Sequence, residues 1–444
     1  MQDKKYKVYN LRNFKTIPQL SNLSQDDIEA IEVVGHVLPF KANNYVVDEL
    51  INWKNVPEDP IFTLTFPRRE MISKTNYQNV LFMLQNNTAD DEFKAEVNKI
   101  RMRLNPNPAG QAQNVPMLGK IKLHGVQHKY RETVLFFPSQ GQTCHAYCTF
   151  CFRWPQFTGI NELKFGMKEA DLLHRYLLQH KKVIDVLFTG GDPMTATAKI
   201  LASYIEPLLT KEFDHIRTIR IGSKSLAYWP YRYLTDKDAD EVIGLFEKVV
   251  KAGKHLAFQA HFNHPVELST DAVKQAIERI KNTGAEIRAQ SPLLRKINNH
   301  PAIWAEMWQK QVELGCVPYY MFVARDTGSK AFFEVPLERA WDIYRKAYAS
   351  VSGVARTVRG PSMSAHPGKI HIVGIADVKG EKVFVLRFLQ CRNPNLVGIP
   401  FFAKYDPKAT WFDQLEPAFG EKEFFFEKDD LLGNADRDND FLWE

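Results

Sequence analysis

The sequence predicts an α/β fold: a partial (β/α)6 barrel, with a helical N-terminal region before it and an α+β extension after it. Three observations lead there. From about Thr133 onward, short apolar runs alternate with amphipathic stretches, and repeated strand–helix units imply a parallel sheet. Six such units fit a barrel or part of one. Most of the polar motifs follow directly on the apolar runs, at the strand ends where such barrels keep their chemistry.

The first 125 residues read as helical and irregular. Ser24-Gln25-Asp26-Asp27 opens an apolar periodic stretch and resembles a capping box, with Asp in place of Glu. Residues 105–116, rich in Pro, Gly and amides, read as a loop and mark a soft boundary. The expected strands are 134–137, 183–188, 216–222, 255–262, 286–290 and 317–323. Helical stretches lie between them, one near 168–181. The clearest is 270–281, where Ala272, Val273, Ala276, Ile277 and Ile280 share one face. The last hundred residues mix strands at 370–374 and 382–389 with an aromatic, acidic tail. That tail carries seven acidic and two basic residues between Glu427 and Glu444, which reads as a solvated charge block. The expected divisions are 1–125 (helical), 126–345 (barrel) and 346–444 (extension).

Composition narrows the function classes. At 444 residues, 44% apolar and 25% charged, the chain has the make-up of an ordinary globular protein rather than of collagen, a coiled coil or extended disorder. No apolar run approaches the roughly 18 residues of a spanning helix. The N-terminus lacks the apolar core of a secretory signal, so a cytoplasmic location is expected. A net charge of +6, with basic and acidic residues interspersed, gives no nucleic-acid stripe. Neither nucleic acid nor membrane is an expected partner. Five cysteines exclude a disulfide scaffold.

Three of those cysteines fall within eight residues, as Cys144-x3-Cys148-x2-Cys151, directly after an expected strand. Three thiolates can hold three irons of a four-iron, four-sulfur cube, because thiolate is the soft ligand such clusters need. The fourth iron then stays open to a substrate or cofactor. A zinc site with His145 or a distant cysteine as fourth ligand is the alternative, but structural zinc usually shows two paired units and only one is present. Forty residues on, Thr189-Gly190-Gly191-Asp192-Pro193 follows a strand. Adjacent glycines let the backbone approach a ligand closely, and Asp192 can accept from an ammonium.

The cysteine spacing resembles the signature of radical S-adenosylmethionine (SAM) enzymes, with Tyr147 and Phe150 between the thiols as in that superfamily. The resemblance implies a 4Fe-4S cluster on Cys144, Cys148 and Cys151. It also implies SAM on the open iron, with a Gly-Gly-acid motif at its amino group, and a radical SAM barrel. It narrows to the lysine 2,3-aminomutase family over roughly residues 20–375. The residues that carry it are Leu38-Pro39-Phe40, Asn43-Asn44-Tyr45, His128-Lys129-Tyr130 and Ile219-Arg220-Ile221-Gly222-Ser223. Further on come His261-Phe262-Asn263-His264-Pro265, Gln290-Ser291-Pro292-Leu293-Leu294-Arg295 with Asn298, and Pro318-Tyr319-Tyr320.

What that resemblance implies is an exchange of an α-amino group with a β-hydrogen. Pyridoxal phosphate (PLP) holds the nitrogen, and a 5′-deoxyadenosyl radical removes the hydrogen. Arg153 matches the arginine that holds the substrate carboxylate. Lys129 and Tyr130 match residues near the PLP phosphate and ring. Gln290 and His261 match polar residues facing SAM. An electron donor of the flavodoxin or ferredoxin type and a homo-oligomeric state also go with the family. Some members have an interface zinc, but this chain offers only Cys391 and His300 there, and zinc is not expected.

Departures from the family pattern bear on the substrate. Thr133 stands where the family has a second phosphate-contacting arginine. The glycine run before the PLP lysine is replaced by residues 361–368, which leaves Lys369 as the candidate catalytic lysine. Arg325 and Arg359 align with the two carboxylates that recognise lysine's distal ammonium. Arginine there reverses the preferred partner charge. An acidic amino acid such as glutamate, for which the family has mutases, or a larger anionic substrate fits better than free lysine. The alternatives are a PLP-independent radical SAM enzyme on the same scaffold and an iron–sulfur sensing protein without turnover.

Overall fold

The computed structural model describes residues 4–105 and 114–428. An eleven-stranded mixed sheet runs through it, and its neighbours follow chain order. The strands are β1 (Val126–Tyr130), β2 (Thr133–Phe136), β3 (Asp185–Phe188), β4 (Thr218–Ser223), β5 (His255–His261) and β6 (Glu286–Leu293). They continue as β7 (Val317–Val323), β8 (Arg359–Ser364), β9 (Gly368–Val378), β10 (Glu381–Cys391) and β11 (Pro400–Lys404).

Strands β2 to β8 are parallel to one another. β1 and β9–β11 pair antiparallel. Parallel neighbours need a crossover, and every crossover from β2 to β8 carries a helix: Ala170–Gln179, Ala198–Ile205, Ala239–Lys251, Asp271–Lys281, Pro301–Glu313 and Leu337–Ala349. Helix Asp271–Lys281 buries Ala272, Val273, Ala276, Ile277 and Ile280, the face the periodicity picks out. Within β4, Ile219 and Ile221 are fully buried, while Arg220 and Gly222 point to the opposite face by strand alternation.

The six strands expected from sequence lie within about three residues of their observed positions. Three others were not expected. β1 is polar (VQHKY), β11 begins with proline, and β8 (RGPSMS) carries Gly and Pro, which are depleted in strands. The stretch around Lys369 is therefore not the loop its composition suggests: it is the end of β8 and the start of β9. The strands after residue 346 extend the same sheet. Phe388, Phe401, Phe412, Phe424 and Phe426 form a second apolar cluster over them. Residues 106–113 of the expected loop, and 429–444 of the acidic tail, lie outside the described residues.

In the N-terminal region, helix Gln25–Val37 starts at Ser24, whose hydroxyl accepts from the Asp27 amide at 3.1 Å. The shorter Asp27 side chain bonds back to the Ser24 hydroxyl at 2.6 Å rather than to the backbone. Strand Lys41–Asn43 pairs with Val8–Asn10 and delivers Asn43, fully buried, to the cysteine loop.

Candidate active site

The cysteine loop leaves β2 and is tied down by contacts from distant parts of the chain. Its Tyr147 and Thr149 amides donate to the Lys41 and Leu64 carbonyls at 2.7 and 2.9 Å. Asn43 Nδ2 donates to the His145 carbonyl at 3.1 Å and to the Tyr228 carbonyl at 2.9 Å. One amide thus clamps the loop against the short helix Ser225–Tyr228. The three cysteines are free thiols. Burial pushes Cys148 up to about 12 and Cys151 to about 11. Cys144 is held well above its usual value by burial, by the Asp192 carboxylate and by the other two thiols. Among the described residues, no group of His, Cys, Asp or Glu side chains already stands in metal-holding geometry; the Cys148 sulfur is turned toward the Tyr228 hydroxyl, 3.7 Å away. Three soft donors whose negative charges would repel in a dry site suit a cationic iron cluster, which favours the thiolate that burial alone opposes.

Gly190-Gly191-Asp192 leaves β3 and packs on this loop. The Asp192 amide donates to the Gly141 carbonyl at 3.0 Å and the Thr143 carbonyl at 2.6 Å. A Cβ on Gly191 would stand 2.5 Å from the Thr143 carbonyl oxygen, and Gly190 has φ +145°. Both positions therefore require glycine. The Asp192 carboxylate is engaged within the protein. Its oxygens accept from the Ser223 hydroxyl (2.8 and 2.9 Å), the Met194 amide (2.9 Å) and the Lys224 amide (2.9 Å). It ties the loop after β3 to the end of β4. Burial lifts its pKa to about 6 against these bonds.

The ends of β5 and β6 are stitched together by residues of the two sequence motifs. Asn263 Nδ2 donates to the Ser291 hydroxyl at 2.9 Å, and Asn298 Nδ2 to the Asn263 carbonyl at 2.9 Å and the Pro292 carbonyl at 3.1 Å. His261 and Gln290 are register partners on adjacent strands. Burial and the Lys224 ammonium push His261 well below its usual pKa, so the ring is neutral. Its Nε2 is buried without a hydrogen-bond partner among the described residues, and the ring lies 5.7 Å from that of Phe150 in the cysteine loop. Lys224, at the end of β4, bonds the His261 carbonyl (3.2 Å), Asn263 Oδ1 (2.8 Å) and Glu267 Oε1 (2.7 Å).

Cations line the neighbouring strand ends. Arg153 is 8% exposed, and its guanidinium lies 4.0 Å from the Phe137 ring centroid and 5.3 Å from that of Phe152. Its Nη1 is buried without a hydrogen-bond partner among the described residues. Burial pulls its pKa down to about 9, and Arg325 adds to that. Arg325, just past β7, donates to the Ser364 carbonyl at 2.6 Å and stands 3.7 Å from Asp326, so its charge is partly answered. Lys129 donates to the Ala365 carbonyl at 2.6 Å. Burial, then Arg392, Arg325 and Lys369, bring it to about 7. Burial pushes the Tyr130 hydroxyl up.

Lys369 stands 4.2 Å from the Tyr320 ring centroid and 5.6 Å from that of Phe322. No hydrogen bond or ion pair holds its ammonium among the described residues. Burial, with Arg220 and Arg359 nearby, brings it to about 7. Arg359 is placed differently from Arg325. It is exposed at the first residue of β8, opposite the chemical ends of the parallel strands, and covers Tyr319 at 5.0 Å. It also lies 5.8 Å from the Tyr320 ring that Lys369 rests on, while Arg325 follows the end of the neighbouring strand. Thr133 bonds Asp185 at 3.3 Å, and Asp185 holds Arg220 at 2.5 Å.

A protein of Aquifex aeolicus (strain VF5), provisionally named an L-lysine 2,3-aminomutase, is 32% identical over 395 residues, which is 89% of this chain and 92% of that one. The chain belongs to the lysine 2,3-aminomutase family of radical SAM enzymes. L-lysine 2,3-aminomutases of Bacillus subtilis (strain 168) and Methanococcus maripaludis are 23% and 22% identical. These matches cover 78% and 80% of this chain, and 63% and 71% of theirs. No family model matches the chain. A radical SAM methyltransferase from Sphaerobacter thermophilus aligns over 53% of this chain and 68% of its own, with a TM-score of 0.37 and 13% identity, too loose for an argument.

Membership in the lysine 2,3-aminomutase family implies a 4Fe-4S cluster and SAM, and the cysteine loop and the glycine cradle fit both. Several residues that build the site carried no assigned role in the sequence: Asn43, Lys224, Tyr228, Glu267, Arg220 and Arg392. Asn43 and Arg220 sit inside family-like motifs, which is a usable signal. Glu267 and Tyr228 have none, since their partners are tens of residues away.

Proposed function

We propose that this chain is a radical SAM aminomutase that moves an amino group between C2 and C3 of an amino acid other than free lysine, with PLP carried on Lys369. The observation that carries the reading is Arg153. It is a buried guanidinium two residues past Cys151, with an unbonded Nη1 and no anionic partner among the described residues. Proteins rarely keep such a charge unless a ligand answers it. When bound, the cluster and SAM supply the radical that removes a hydrogen atom, and PLP supplies the carbonyl carbon that takes up the migrating nitrogen.

The chain's own residues do the rest. Arg153 binds the substrate carboxylate through its planar fork. Lys369 presents a neutral amine. Lys129 and Arg392 bring together positive charge that suits a phosphate. Tyr130 borders them, and Gln290 and the neutral His261 border the SAM side. Phe150 packs beside the His261 ring and limits water there. Arg325 is the cation left for a distal acidic group, which favours glutamate or a larger anionic substrate. Arg359, 5.8 Å from the Tyr320 ring against which Lys369 rests, is the second cation available to such a group.

In this reading the parallel strands form a partial (β/α)6 barrel over 126–345, flanked by 1–125 and 346–444. The enzyme works as a cytoplasmic homo-oligomer reduced by a flavodoxin- or ferredoxin-type donor. The test is anaerobic turnover. Reconstituted enzyme, reductant and SAM are incubated with single amino acids, and methionine, 5′-deoxyadenosine and β-amino products are measured by mass spectrometry. Isomer formation with an acidic amino acid and none with lysine is expected. SAM cleavage with no amino-group migration on any PLP-supplemented amino acid would leave the PLP-independent enzyme as the better reading.

Replacing Arg153 by methionine separates a functional charge from a structural one. Loss of a charge-assisted carboxylate contact costs about 2–5 kcal/mol, so kcat/KM falls about 30- to 4,000-fold. The ligand-free protein gains stability, by about 1–2 kcal/mol, because an unanswered buried charge is removed. A lower melting temperature would show instead that Arg153 holds the fold.

A further inference from the structure

We propose that Tyr228 sets the reduction potential of the cluster by donating its hydroxyl proton to the Cys148 sulfur. This rests on the cluster reading above. The hydroxyl oxygen lies 3.7 Å from Cys148 Sγ and has no other hydrogen-bond partner among the described residues. The side chain is 1% exposed, so water does not substitute for that partner.

The placement is built from several sides. Asn43 ties the Tyr228 carbonyl and the His145 carbonyl to one side-chain amide, which fixes the phenol relative to the cysteine loop. Lys224 Nζ stands 4.4 Å from the Tyr228 ring centroid, and Glu267 holds Lys224 at 2.7 Å. The lysine's charge is therefore answered within its own ion pair.

In the free thiol the sulfur can donate. Once Cys148 is an iron-bound thiolate it has no proton, and the phenol must donate to it or stay unsatisfied in a dry site. A hydrogen bond to a cluster sulfur draws off negative charge. It stabilises the reduced cluster, which carries one more electron, above the oxidised one, so the potential rises. Cys151 by contrast lies close to the Arg153 and Trp154 backbone amides, the latter donating to the Cys151 carbonyl at 3.2 Å, and no substitution removes these groups. Tyr228 is the side-chain donor of the set and the one that mutation can delete.

The experiment is a mediated redox titration of anaerobically reconstituted wild type and Tyr228→Phe, followed by the paramagnetic signal of the reduced cluster, with iron and sulfide counted in both. The expected result is an unchanged iron content and a midpoint shifted to more negative potential. An unchanged midpoint at full iron content overturns the proposal. A second measurement does not depend on the variant folding: pulsed resonance of the reduced wild-type cluster in H2O and D2O. An exchangeable coupled proton that is not attached to nitrogen, read in uniformly 15N-labelled protein, supports the proposal, and its absence refutes it. A wild type that binds no iron overturns the cluster reading and this one together.

Discussion

Borohydride reduction of the PLP-treated protein will place a pyridoxyl group on Lys369, and Lys369→Ala will lose both the adduct and turnover. Attack on a carbonyl needs a neutral amine. At pH 8 an ordinary lysine is less than about one per cent neutral. Lys369 is brought to about 7 by burial, with Arg220 and Arg359 adding to it, so roughly nine-tenths of it is neutral at the same pH. The sign follows from the lowered value: adduct formation is full above pH 8 and falls about tenfold by pH 6. Turnover should drop at least about 10³-fold in the alanine variant, as for other lost covalent residues. Lys129 shares the lowered value but donates to the Ala365 carbonyl, which occupies its nitrogen. An adduct on Lys129 would reassign the catalytic lysine; no adduct at all would remove PLP from the mechanism.

Glu267→Gln will be among the most destabilising single changes in the chain. Glu267 is fully buried and pairs with Lys224 at 2.7 Å; the lysine side chain is 10% exposed. Its second oxygen accepts from the Asn263 and His264 amides. Removing one partner of a buried pair leaves the other charge without compensation, at a cost of about 3–5 kcal/mol. A joint replacement, Lys224→Met with Glu267→Gln, should recover part of that loss, because it removes the uncompensated ammonium while the glutamine oxygen still accepts from the Asn263 and His264 amides. Thermal unfolding of the single and double variants checks it. A single variant that melts within a degree of wild type would mean that water reaches the pair. Because the pair joins the end of β4 to the turn after β5, the single variant should also hold its iron less well.

Much of the site's chemistry was legible in the chain order. The thiol spacing, the double glycine at a strand end and the motif residues around His261 and Gln290 are local patterns, and the periodicity of the parallel strands and their helices is local too. β8 was not legible, because Gly360 and Pro361 disfavour a strand and only its place between β7 and β9 makes one. Arg325 and Arg359 looked alike as substitutions for carboxylates, yet they sit at opposite ends of neighbouring parallel strands. Asp192 has the right chemistry for an ammonium, but its four protein hydrogen bonds come from residues up to 32 positions away.

What the sequence by itself determined is which residue types recur at which spacing: a thiol set, glycines where no Cβ fits, and amphipathic periods that name an α/β sheet and a family. What only the tertiary structure decided is which charges are answered. Among the described residues Arg153 has aromatic rings but no anion, Arg325 has a carboxylate 3.7 Å away, Lys224 has a buried one, and Lys369 rests on aromatic rings. That depends on desolvation and on neighbours brought together from opposite ends of the chain, and neither is encoded in any short stretch of it.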